Sequence, residues 1–118
     1  MTKIMIVDDA AFMRMVIKDI LTKNGHEVVA EAVDGLDAIE KYNKVNPELV
    51  FLDIVMPNME GIECLKKIMA INPNAKVVMC SSIGQQSVVS EAIKSGARDF
   101  IVKPFNATKV LEVVSKVM

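Results

Sequence analysis

Five short apolar runs of strand type alternate along this chain with segments whose apolar residues return every three or four positions. The runs cover about 3–7, 27–32, 49–53, 76–81 and 99–102, and each is rich in Val, Ile or Phe and bounded by Gly, Pro, Asn or Asp. The segments between them keep the period of an amphipathic helix. In the first, Met13, Val16, Ile17, Ile20 and Leu21 share a face, and Asn24-Gly25 supplies the stop. The second runs from about Leu36 to Lys44, between the turn pair Asp34-Gly35 and Pro47. The third presents Ile62, Leu65, Ile68 and Met69, and the fourth Val88, Val89, Ala92 and Ile93. The fifth starts at Asn106, an N-cap residue type, and presents Val110, Val113, Val114 and Val117.

Strands and helices in strict alternation, with short links, predict an α/β fold with a parallel sheet and right-handed crossovers. Five such units predict a flavodoxin-like (βα)5 doubly wound sandwich with strand order 2-1-3-4-5. At 118 residues the expectation is one domain, 1–118, with no output domain attached.

Composition narrows the function classes. Apolar residues make up 52% of the chain, which suits a sheet buried on both faces. No apolar run approaches the roughly 20 residues of a membrane span, and the N-terminus has no secretory pattern. A soluble cytoplasmic protein with no membrane partner is expected. Net charge is −1, and the basic residues form no block, so nucleic acid is not an expected partner. Cys64 and Cys80 form no metal or redox motif and are expected as buried thiols. The nine methionines read as core filler, with a sharper alternative in which Met13, Met15, Met56 and Met59 shape a surface that repacks against partners.

The chemistry lies at the ends of the runs. Asp8, Asp9, Asp53 and Lys103 each follow a strand, so all four should emerge at the carboxyl edge of one sheet, where open α/β sheets keep their sites. Any one aspartate alone would read as a helix cap. Three together repel one another unless a cation sits among them, and magnesium favours few carboxylates, retained waters and phosphate oxygens. Lys103 precedes Pro104, whose bond is a candidate for the cis form, and is expected to pair with Asp53 at rest and with a phosphoryl oxygen later. Ser81 ends the fourth run, where its hydroxyl could donate to the same group.

Together these residues resemble the receiver domain of two-component response regulators. The matching stretches are Val7-Asp8-Asp9, Leu52-Asp53-Ile54-Val55-Met56-Pro57-Asn58-Met59-Glu60-Gly61, Ser81, Gly96-Ala97-Arg98-Asp99-Phe100 and Lys103-Pro104-Phe105. Asp9-Ala10-Ala11-Phe12-Met13-Arg14 and Ser82-Ile83-Gly84-Gln85-Gln86 resemble the stand-alone chemotaxis regulators of the CheY type. The resemblance implies that Asp53 accepts a phosphoryl group from a phosphohistidine of a chemotaxis-type histidine kinase. It implies Mg2+ held by Asp9, Asp53 and the backbone carbonyl of Val55, with Asp8 acting through water. Lys103 would neutralise charge during transfer. Ser81 and Phe100 would form the switch that exposes a surface to a motility-motor component or adaptor, with a phosphatase as a further partner and a monomer as the expected state.

Val55 and Ile83 are apolar where the family often has polar residues, which predicts slow autodephosphorylation. Other readings are a receiver in another phosphorelay, a phosphate sink, or a magnesium phosphohydrolase with an aspartyl-phosphate intermediate. The last lacks a second acid two residues after Asp53, where Val55 stands. A flavin or nucleotide binder would need a glycine-rich loop, and Asp8-Asp9-Ala10-Ala11-Phe12 has none.

Overall fold

The computed structural model describes residues 2–56, 59–82, 86–104 and 106–118. Within them the elements follow the predicted alternation: β1 (Lys3–Val7), α1 (Ala11–Lys23), β2 (Glu27–Ala32), α2 (Gly35–Val45), β3 (Leu49–Asp53), α3 (Gly61–Ile71), β4 (Val77–Ser81), α4 (Gln86–Lys94), β5 (Asp99–Val102) and α5 (Ala107–Val117). All strand pairs are parallel, in the order β2-β1-β3-β4-β5. The α/β prediction, the flavodoxin-like topology and the strand limits hold to within a residue.

Each central strand splits its side chains between two cores, because successive residues point to opposite faces. Met5, Val7, Val50, Leu52, Val77 and Met79 meet α2, α3 and α4 through Tyr42, Leu65, Ile68 and Ala92. Ile4, Ile6, Leu49, Phe51, Val78 and Cys80 meet α1 and α5 through Ile17, Leu21, Val110, Val113 and Val114. The edge strand β2 departs from simple alternation. Its register against β1 slips between Ile4 and Met5, so Val28 packs on the α1 side while Ala30 and Ala32 pack on the α2 side. That bulge also turns Glu31 toward α1.

Three helices start on side-chain or glycine devices. Asp34 caps α2 by accepting from the Asp37 amide, so the pair Asp34-Gly35 is a helix start rather than a separate turn. Asn106 caps α5 by accepting from the Lys109 amide, as predicted. Gly61, at the start of α3, lets that helix approach the end of β3. One expectation fails: Ile93 on α4 is 47% exposed rather than core, since Ala92 takes the buried position. Met56 and Met59 are buried, at 7% and 8% exposure, as core filler should be, so they do not form the alternative free surface; Met15, at 58%, does lie outside. Among the described residues no helix is long and apolar enough to cross a membrane.

Candidate functional site

The register of the sheet assembles the site. Val7 pairs with Leu52, Asp53 with Cys80, and Ser81 with Val102. Asp8, which follows Val7, therefore comes level with Asp53, and Lys103 emerges one residue beyond Ser81 at the same edge. The amide of Lys103 donates to the Ser81 carbonyl at 2.8 Å, extending the β4–β5 ladder by one step across a cis Lys103–Pro104 bond. The Asp8 amide likewise donates to the Ala32 carbonyl at 3.1 Å.

Carboxylate oxygens of Asp8, Asp9 and Asp53 lie within 4.8 Å of one another. Asp8 and Asp53 are buried, at 2% and 7% exposure, whereas Asp9 is exposed and opens the cluster to solvent. Lys103 Nζ donates to Asp8 Oδ2 at 2.8 Å and stands 3.5 Å from Asp53 Oδ2. The expected pairing with Asp53 exists, but Asp8 is the closer partner. Asp8 sits one strand beyond Asp53 and its carboxylate is already oriented by the Ala10 amide, which donates to Oδ1 at 2.9 Å and leaves Oδ2 for the ammonium.

The charges shape one another. Burial pushes the Asp53 carboxyl above its ordinary pKa; Lys103 pulls it back, and Asp8 adds to the rise. For Lys103, burial works to lower the pKa. The Asp8 hydrogen bond and the charges of Asp53 and Asp8 outweigh it, so the ammonium is held above its ordinary value. One ammonium faces three carboxylates, which leaves a negative cluster of oxygen donors open on the Asp9 side. That donor set fits a hard divalent cation such as Mg2+.

Ser81 is buried at the end of β4. Phe100, on β5, is half-buried and packs against the core on the α4 side. The Val55 side chain is 58% exposed beyond β3, and Ile83 lies outside the described residues. Cys64 and Cys80 are buried free thiols, as predicted; burial pushes the Cys64 pKa up to about 12, and that of Cys80 higher.

Two contributors were not picked out by sequence reasoning. Gly61 donates its amide to the Ile54 carbonyl at 2.7 Å, and a Cβ there would lie 2.1 Å from the Asp53 carbonyl oxygen. Arg14 reaches from α1 to the Asp8 carbonyl. Both residues stand inside quoted motifs, but only the fold reveals what they touch.

Known proteins resemble this chain over nearly its whole length. The response regulator receiver domain model matches residues 4–115. The chain is 60% identical over 116 residues to the chemotaxis protein CheY of Bacillus subtilis, covering 98% of this chain and 97% of that protein. It is 56% identical over 115 residues to the chemotaxis protein CheY of Thermotoga maritima, covering 98% and 96%. Among solved structures it is similar to a chain of the CheX–CheY–BeF3–Mg2+ complex from Borrelia burgdorferi. That likeness has a TM-score of 0.96 and 40% identity, and covers 98% of this chain and 88% of that one. With fold and motif order matched from residue 4 to residue 115, this chain belongs to the response regulator receiver domain family.

Proposed function

We propose that this protein is a Mg2+-dependent phosphoacceptor of chemotaxis signalling, phosphorylated on Asp53 by a histidine kinase. The observation that carries the reading is the meeting of Asp8, Asp9 and Asp53 within 4.8 Å beside the Lys103 ammonium. An Asp53 carboxylate oxygen attacks phosphorus, the bond from phosphorus to the donor's imidazole nitrogen breaks, and the imidazole leaves with that electron pair. Lys103 then shifts its donation from Asp8 toward a phosphoryl oxygen. Asp9, Asp53 and the Val55 carbonyl would hold the metal, with Asp8 acting through water. Bound Mg2+ supplies neutralisation of the charge that builds on the phosphoryl oxygens.

Ser81 donates its hydroxyl to the new group, and Phe100 moves inward from its half-buried position, which changes the surface around α4, β5 and α5. That surface meets a motility-motor component or adaptor. In this reading the receiver works in the cytoplasm as a monomer. Because the Borrelia neighbour was solved with CheX, a CheX-type protein is the first partner to test, with a phosphatase role in view.

Intact mass after incubation with Mg2+ and acetyl phosphate tests the chemistry. One phosphoryl adduct is expected in wild type, and none in Asp53→Asn or in EDTA; an adduct that survives Asp53→Asn overturns the assignment. Val55→Asn with Ile83→Glu is expected to shorten the adduct's lifetime several-fold by orienting the attacking water. An unchanged lifetime would sink that role for the two positions.

A further inference from the structure

We propose that Arg14 is a positioning residue for the Mg2+ site, acting by fixing the Asp8–Asp9 peptide while Glu31 fixes its guanidinium. The inference rests on reading the carboxylate cluster as a metal site. Arg14 Nη1 donates to the Asp8 carbonyl, and Nε donates to Glu31 Oε1 at 3.3 Å. The Arg14 side chain is largely buried, at 15% exposure.

The Asp8 carbonyl belongs to the same planar unit as the Asp9 amide. Holding that oxygen therefore sets the plane from which the Asp9 side chain departs. Asp8 is gripped at its other polar atoms too: its amide by Ala32, Oδ1 by Ala10 and Oδ2 by Lys103. Arg14 completes the set at the one atom that steers Asp9, the exposed carboxylate on the open side of the cluster.

The anchor is itself anchored. Glu31 Oε2 takes a second cation, Lys18, at 3.4 Å, and the Glu31 carbonyl accepts from Lys41 Nζ at 2.6 Å. Lys41 in turn pairs with Asp37 at 3.2 Å. Glu31 thus ties α1 and α2 to the end of β2, and the bulge in that strand is what turns it toward Arg14. A guanidinium presents its Nε and Nη donors in one fixed plane, a geometry that an ammonium donating from a single atom does not reproduce.

Charge and geometry make opposite forecasts, which gives the test its force. Deleting a cation near the cluster would by charge alone tighten Mg2+ binding. Loss of positioning would weaken it. Titration calorimetry with MgCl2 on Arg14→Met is expected to show about tenfold weaker binding than wild type, the scale of lost support behind metal ligands. Without metal, hydrogen exchange at the Ala10 amide should quicken while the amides of β3 and β4 stay protected.

Glu31→Gln is expected to weaken binding partly, and the double variant to match Arg14→Met alone. Equal or tighter binding by Arg14→Met, or additive losses in the double variant, overturns the proposal. If Arg14→Met does not fold, Arg14→Lys keeps the charge without the fork; it should also bind weakly, and wild-type affinity there overturns the proposal. A wild-type chain that binds no Mg2+ would instead overturn the metal reading itself.

Discussion

In the proposed function Asp53 must be reachable by a phosphodonor, yet it sits 7% exposed beside two other carboxylates, and the fold bears a cost for it. Burial, the largest influence, raises its carboxyl above the ordinary 3.8; Lys103 opposes the rise and Asp8 adds to it. A carboxyl raised on folding contributes stability below its unfolded pKa and loses it as pH climbs through the folded value. Near neutral pH, then, the Asp53 charge destabilises the fold. Asp53→Asn should melt several degrees above wild type near neutral pH in EDTA, and the gap should close below about pH 4. Calorimetry at the two pH values checks this, and equal melting temperatures near neutrality would refute it. The sequence already showed that these groups emerge together, because each follows an apolar run. It did not show which carboxylate Lys103 prefers. That depends on the Ala10 amide orienting Asp8, a contact set by the turn rather than by residue type.

The link between β3 and α3 shows what an element adds to its residues. Gly61 lies so close to the end of β3 that a Cβ would meet the Asp53 carbonyl at 2.1 Å and the Ile54 Cα at 2.6 Å. Backbone cannot yield there as a flexible side chain could. Gly61→Ala is therefore expected to cost about 3 kcal/mol, the upper end for overpacking, and to slow phosphorylation by displacing Asp53. Gly25 is a control of a different kind. It has φ +86°, but a Cβ there would meet nothing within 4 Å. Gly25→Ala should cost only about 1–2 kcal/mol of left-handed strain and leave phosphorylation unchanged. Urea melts and adduct rates on both variants make the comparison, and equal effects would remove the special role of Gly61. Periodicity announced the elements well because core helices repeat their apolar faces. It misled at Ile93, where a short helix buries only Ala92, and it said nothing of Met59, whose place against Gly35 depends on how α2 meets the loop. The bulge that aims Glu31 at Arg14 left no mark in the alternation of Glu27–Ala32.

At the scale of the molecule, one sheet separates two cores, and each core holds one cysteine. Cys64 lies among the side chains under α2, α3 and α4, and Cys80 among those under α1 and α5. Burial raises both thiols, Cys64 to about 12 and Cys80 beyond it, so at neutral pH neither offers the thiolate that reacts with disulfide reagents. The two cores share strands β1, β3 and β4, and a side chain on one face cannot lose its packing without loosening the backbone that supports the other. A chain of this size built on one sheet should therefore unfold as a single cooperative unit. Single-cysteine variants, Cys64→Ala and Cys80→Ala, allow each face to be followed by thiol labelling across a urea series. Native protein should resist labelling in both. Labelling should then appear with midpoints that each coincide with that variant's own loss of circular dichroism. A face whose thiol reacts well below that midpoint would show that its helices open independently of the sheet. In that case the helices there, rather than the whole domain, would be the unit whose stability a signal could shift.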